Sequence, residues 1–178
     1  MTASKSSNSS ALAASSRIAC YGTAFLAGTP VDIAALKCGI SSGAPQISSP
    51  RLDASFLANC GSFLSGKSAA IDDPRTYFKR LTGNDFSLPK AQSKATHVYQ
   101  FSAKLCDLLA ALTEERAAEI AMKWYGTNLP AKTKSCESNG RTQRRLAILR
   151  NLAALARQAQ VGNTVLILRV EYRKQRLA

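Results

Sequence analysis

Residues 164–173, near the carboxyl end of this 178-residue chain, constrain its fold more than any other segment. They are rich in β-branched residues, and Leu168, Val170 and Tyr172 alternate with charged residues, a pattern typical of a β-strand. A Gly-Asn pair separates this strand from the helical pattern before it. A single strand is unstable in water, so it requires a partner, either residues 17–26 or the same segment of a second copy. A C-terminal helix is the alternative assignment.

Helical patterns dominate the rest of the chain. Apolar residues recur at helical spacing from Lys94 to Leu112, Thr113 begins a second amphipathic segment, and a long amphipathic helix is predicted over Arg141–Gln160. Three more helix starts are predicted where a capping residue precedes proline: Thr29-Pro30, Ser49-Pro50 and Asp73-Pro74. We therefore predict a mainly α protein, a compact bundle of about five to six helices. A short C-terminal β-strand would pair with an N-terminal segment or with a partner.

Composition and length indicate one globular domain. The chain is 46% hydrophobic and 20% charged, so we expect a flexible Ser-rich tail over residues 1–16 and a single mostly helical domain over residues 17–178. No apolar run is long enough for a membrane span, so we expect no membrane partner. A cytoplasmic location is expected; because no acid precedes Asp32, an organellar transit peptide is the alternative.

Cysteine and histidine content argues against a metal or disulfide framework. The five cysteines are odd in number and widely spaced, which favours thiols in a reducing compartment. His97 is the only histidine, and the helical pattern around it predicts a partly exposed position on a helix surface. We expect no metal and no cofactor.

Positive charge is concentrated in a basic C-terminal region, residues 131–178. This region holds eleven Lys or Arg residues against two acids, which accounts for most of the formal charge of +13. A polyanion is the expected partner, and the excess of arginine favours bidentate phosphate contacts and stacking on exposed bases. The residues predicted to bind nucleic acid are Lys132, Lys134, Arg141, Arg144, Arg145, Arg150, Arg157, Arg173, Lys174 and Arg176.

Two functions fit such a surface. The first is non-enzymatic binding of nucleic acid, RNA in preference to DNA, as in a subunit of a ribonucleoprotein assembly. The alternative is docking to an acidic protein surface, since charge steers such association and the C-terminal strand offers an edge for an oligomer or larger complex.

A phosphate-loop motif is a second alternative. Residues 61–68 read GSFLSGKS and fit GxxxxGK[ST], with Gly61, Gly66, Lys67 and Ser68 in the motif positions. That motif functions between a buried strand and a helix, whereas the residues before it have a helical pattern and Asp73-Pro74 follows within a few turns. Nucleotide binding is therefore disfavoured.

A second motif match concerns serine hydrolases. Residues 39–43 fit G-x-S-x-G, and an Asp and then His97 follow in hydrolase order. A nucleophile elbow requires a strand before the serine and a helix after it, but here a helical pattern precedes and Pro45 follows. We expect no hydrolase activity and no catalytic residues.

Overall fold

Two long strands, one from each end of the described chain, form the centre of the fold. In the computed structural model β1 (Arg17–Gly28) pairs antiparallel with β5 (Thr164–Gln175) over twelve residue pairs, from Arg17 opposite Gln175 to Gly28 opposite Thr164. β-Branched residues in β5 suit the pleated surface, and the Gly162-Asn163 turn joins β5 to the preceding helix. The predicted pairing of residues 17–26 with the C-terminal strand is therefore present.

The structure describes residues 17–38, 45–50, 52–67, 73–82, 94–123 and 137–175. Between β1 and β5 the elements are α1 (Ile33–Cys38), β2 (Gln46–Pro50), α2 (Ala54–Leu64), a 3-10 helix (Pro74–Thr76), β3 (Phe78–Thr82), β4 (Lys94–Phe101), α3 (Ala103–Ala110), α4 (Glu114–Lys123) and α5 (Glu137–Val161). None of the helices in these ranges is long and apolar enough to cross a membrane.

All five strands belong to one antiparallel sheet in the order β2-β1-β5-β4-β3. One face of the sheet packs against α2, α3 and α5 in the main core, which contains Leu152, Leu166 and Leu168. α4 lies against α2 and α5 in a second cluster, and α1 packs on the opposite face of the sheet around Ile167. Helices therefore contact both faces of the sheet, although most lie on one.

The predicted fold class is wrong: the protein has an α/β fold with a five-stranded sheet, not a mainly α bundle with one short strand. β5 is central, with β1 on one side and β4 on the other. Its paired length therefore offers no open edge for adding a partner's strand.

The largest local error is in the segment predicted as one helix over Lys94–Leu112. It consists of β4 followed by α3, and Ser102 is the N-cap between them, accepting a hydrogen bond from the Leu105 amide. β4 is buried on both faces because Tyr99 points into the main core while Val98 packs under α1. Burial on both faces removes the alternation that identifies a strand, and the apolar residues of β4 and α3 together imitate a helical stripe.

The three proline signals have three different outcomes. The peptide bond between Thr29 and Pro30 is cis and precedes α1. Asp32, and not Thr29, caps the first turn of α1 by accepting hydrogen bonds from the Ala34 and Ala35 amides. Ser49-Pro50 ends β2, and the N-cap of α2 is Asp53. Asp73 does cap a helix, but only a single 3-10 turn, and strand β3 begins two residues after that turn, at Phe78.

Gly22 lies where β1 meets the chain segment that enters α2. A Cβ at this position would overlap the carbonyl oxygen of Leu52 and lie 2.8 Å from its carbonyl carbon. Leu52 is fully buried, so neither backbone can withdraw without disturbing the core. Glycine is therefore required here by close approach of two backbones.

We predict that Gly22→Ala destabilises the protein by about 3 kcal/mol or more, because the overlap involves backbone atoms and not a flexible side chain. Chemical denaturation followed by circular dichroism measures this. The matched control is Gly28→Ala at the end of the same strand, where an added Cβ meets nothing within 4 Å. Equal effects of the two substitutions would contradict the close approach.

The predicted position of His97 on a helix surface is wrong. His97 lies in β4 and is buried, with 3% of its surface exposed. Its Nδ1 atom lies 3.0 Å from the Tyr99 hydroxyl, and its ring packs against Tyr172 at a centroid distance of 5.0 Å. Burial lowers the pKa of His97 below its ordinary value of 6.5, and repulsion by Arg80 lowers it further. The folded protein therefore holds this imidazole neutral.

We predict that the free energy of unfolding falls as the pH decreases below about 6.5. In that range the unfolded chain protonates His97 and the folded chain does not, so acid favours unfolding; above it the contribution is fully present. The measurement is denaturant unfolding at pH 7.5 and 5.5 for the parent and for His97→Gln, which lacks the titrating group. The parent should lose more stability than the variant; parallel losses would assign the pH dependence to other groups.

Candidate nucleic-acid interface

Helix α5 carries most of the predicted binding residues that the structure describes. One side of it is apolar and lies in the core, with Leu149, Leu152 and Ala156 fully buried. The opposite side is exposed, and between Glu137 and Glu171 the sequence contains no acid. The helix therefore packs through one face and presents cationic side chains on the other, as its periodicity predicts.

Arg150, in the middle of α5, is engaged by an acid from another helix. Its guanidinium donates from Nε to both carboxylate oxygens of Glu114 at 2.9 and 3.0 Å, and its Nη2 also contacts Oε1. The hydrogen bonds from Arg150 lower the pKa of Glu114 below its ordinary value. Both side chains are 55% exposed, so the ion pair lies at the surface.

Arg157 lies two turns further along α5. Its hydrogen bonds connect α5 to the corner between α3 and α4. Its Nε donates to the Ala110 carbonyl at 2.9 Å and its Nη2 donates to the Leu112 carbonyl at 2.7 Å. Carbonyls at a helix C-terminus have no partner within the helix, so these bonds satisfy groups that would otherwise depend on water. The role of Arg157 in the isolated chain is thus structural.

The N-terminal part of α5 carries three more of the predicted binding residues, and two of them are exposed. Arg141 and Arg144 are exposed, whereas Arg145 is half-buried. Among the described residues, no acid forms an ion pair with Arg144. These first turns of α5 are the part of the predicted surface that is most open to a ligand.

The other predicted binding residues are not gathered on α5. The backbone of Arg173 pairs with Ala19 and Lys94, and that of Lys174 pairs with Ile18. Lys132, Lys134, Arg176 and Ser68 lie outside the described residues, as do the tail 1–16 and the hydrolase-like segment 39–43. Arg169, on the sheet, forms an ion pair with Glu171 at 2.9 Å.

A groove of about 300 Å³ lies where the α3–α4 corner meets α5. We call it the corner groove. Its lining comprises Leu112, Thr113, Glu114, Ala117, Arg150, Ala153 and Arg157. Thr113 caps α4 by accepting a hydrogen bond from the Arg116 amide. Leu112, Ala117 and Ala153 are its apolar lining residues, and the two arginines described above also line it.

The phosphate-loop match falls on a helix end. Gly61 is inside α2, and a Cβ there would lie 2.9 Å from the buried Tyr77 ring, so this glycine permits packing. Gly66 has a φ of 79°, and the amides of Gly66 and Lys67 donate to the Phe63 and Ser62 carbonyls. These bonds form a Schellman motif, the common C-terminal end of a helix. The described part of this segment thus lacks the strand-loop-helix context of a phosphate loop.

A group of polar side chains lies in the core between the sheet and the helices. The Cys20 thiol donates to Asp53 at 3.5 Å, and burial raises the pKa of Tyr172 above its ordinary value, with Tyr99, Asp53 and Cys20 adding to the effect. The Tyr172 hydroxyl and the His97 imidazole are therefore neutral at physiological pH. Such a cluster can satisfy hydrogen bonds in the core.

Thiol and metal chemistry find little support among the described residues. Burial raises the pKa of Cys60 to about 12, and burial together with Asp107 raises that of Cys106 to about 11. Both thiols are therefore protonated at neutral pH. Within the described ranges no three His, Cys, Asp or Glu side chains lie together as metal ligands would.

Comparison with known proteins supplies no family for this chain: no protein-family model, curated protein or solved structure matches it.

We predict that Arg157→Ala lowers stability by about 1–2 kcal/mol, because it removes two hydrogen bonds from a charged donor and leaves the Ala110 and Leu112 carbonyls to water. Arg144→Ala, which removes the same charge from the same helix, should change stability by less than about 0.5 kcal/mol. Thermal and denaturant unfolding of the two variants test this, and similar losses in both would show that Arg157 does not fasten the corner.

Proposed function

We propose that the protein is a non-enzymatic RNA-binding protein whose contact surface is the exposed N-terminal part of α5. The observation that carries the proposal is the exposure of Arg144 on a helix that contains no acid after Glu137, with no ion pair between Arg144 and an acid among the described residues. An exposed arginine in such a position contributes a positive potential, which attracts phosphates and releases their counterions on contact.

The structure changes which residues the proposal assigns to RNA. Arg150 is held by Glu114, and Arg157 is held by two backbone carbonyls. In the isolated chain these two arginines are less open to a ligand than Arg144. Arg173, Lys174 and the flanking Lys132, Lys134 and Arg176 remain part of the proposal through their charge and position in the sequence.

Arginine content favours RNA with unpaired bases. A guanidinium group forms bidentate contacts to phosphate and also stacks on exposed bases, and single-stranded RNA presents both groups. We therefore propose recognition of charge and exposed bases with little sequence selectivity.

We predict that Arg144→Ala weakens binding of a labelled single-stranded RNA by about threefold to tenfold. The log-log dependence of affinity on salt should become shallower by about 0.7, the value for one lost contact with a single strand. Fluorescence anisotropy over a salt series gives both quantities. The matched control is Lys79→Ala, an exposed cation on β3, away from α5.

Three results would count against the proposal. They are an absence of RNA binding even at low salt, equal effects of Arg144→Ala and Lys79→Ala, and binding of heparin as tight as that of RNA. The last result would mean that the surface attracts any polyanion, as a docking site for an acidic protein would.

A further inference from the structure

We propose that the corner groove is a binding site for one phosphate of the RNA backbone, and that Glu114 occupies Arg150 in the free protein and leaves it when the phosphate binds. This inference rests on the proposed function and adds a second contact to it. Arg150 would then be a binding residue that an internal carboxylate masks.

The charge on the groove wall favours an anion. Two arginines, Arg150 and Arg157, and one acid, Glu114, are among the residues that line the groove. The hydrogen bonds of Arg157 go to carbonyls, which carry no formal charge. The groove therefore keeps one positive charge that Glu114 does not neutralise.

The contact between Arg150 and Glu114 resembles the one that a phosphate would make. A guanidinium binds two oxygens side by side, and carboxylates and phosphates both present oxygens in that arrangement. Nε of Arg150 already donates to both oxygens of Glu114. A phosphodiester, whose two non-bridging oxygens share one negative charge, can take the same place without a change in the arginine.

Exchange is feasible because the pair is at the surface. Both side chains are 55% exposed, and water and salt screen such a pair, so it adds little to the stability of the fold. Arg157, by contrast, is held in place and fixes one wall of the groove. Its two bonds use two of five guanidinium N–H groups, which leaves donors for a ligand.

The groove also continues the proposed RNA surface. An α-helix rises 1.5 Å per residue, so Arg144 and Arg150 are separated by about 9 Å along α5. The two residues also lie about 120° apart around the helix axis, so a single strand that contacts both arginines must curve around α5 and place more than one phosphate between them. Arg144 would make the first contact with the RNA. Arg150 would then exchange Glu114 for a phosphate of the bound strand.

The test compares two acids that are adjacent in sequence. Glu114→Gln removes the mask, and Glu115→Gln removes an identical charge from an exposed neighbouring residue, so it measures the effect of net charge alone. We expect Glu114→Gln to tighten RNA binding by about threefold to tenfold relative to Glu115→Gln and to steepen the salt dependence by about 0.7. Thermal unfolding checks that both variants fold like the parent.

Arg150→Ala completes the experiment. In the Glu114→Gln background it should abolish the gained affinity, whereas in the parent, where Arg150 is masked, it should reduce affinity by a smaller factor. Equal affinities of Glu114→Gln and Glu115→Gln, or a gain that survives Arg150→Ala, would overturn the masking inference while leaving RNA binding through Arg144 intact. Absence of RNA binding by the parent would overturn both proposals.

Discussion

The pairing of β1 with β5 is the interaction on which the rest of the structure depends. It joins segments from opposite ends of the described chain over twelve residue pairs, and the other three strands are placed by adding to its two sides. The helices then pack on the surface that these strands create, with Leu166 and Leu168 of β5 in the main core. Because the contacts are so distant in sequence, helix formation alone cannot position α5; the sheet must form as well. The close approach of Gly22 to Leu52 shows how tightly the entry to α2 is fitted to this central pair.

The sequence predicts the parts of the fold whose signals are local. β5 is visible from its β-branched alternation and α5 from its periodicity, and Asp73 with Pro74 marks a helix start, although only one 3-10 turn follows it. The fold class is not predictable in the same way, since it depends on three other strands whose patterns mislead. β4 is buried on both faces, and β2 and β3 are five residues each, too short for an alternating pattern to be distinguished from a turn or helix. Capping chemistry shows the same limit, because a Ser-Pro or Thr-Pro pair fits a strand end as well as a helix start.

The site is predictable in composition and not in contacts. Counting charges finds the arginines of α5, and helical periodicity places Arg144 on the outward side. Nothing local reveals that Arg150 meets Glu114, 36 residues earlier, or that Arg157 reaches the Ala110 carbonyl, 47 residues earlier. Such partners become known only when α3, α4 and α5 are packed together. Charge counted along a sequence therefore overestimates the charge available to a ligand, and the overestimate is largest where helices cross.

Along α5, position determines what an arginine does. Toward its C-terminus α5 packs against the corner between α3 and α4, and there Arg157 binds the backbone carbonyls of that corner. Toward its N-terminus Arg141 and Arg144 are exposed to solvent. A single helix with no acid after its first residue can thus both hold a domain together and present charge, since arginine serves each role with the same planar donor group. The ion pair of Arg150 and Glu114 lies between these two parts of the helix. It is well formed, yet it is exposed enough for Arg150 to exchange Glu114 for a phosphate. Arg150 can therefore serve the fold in the free protein and bind a ligand when one is present.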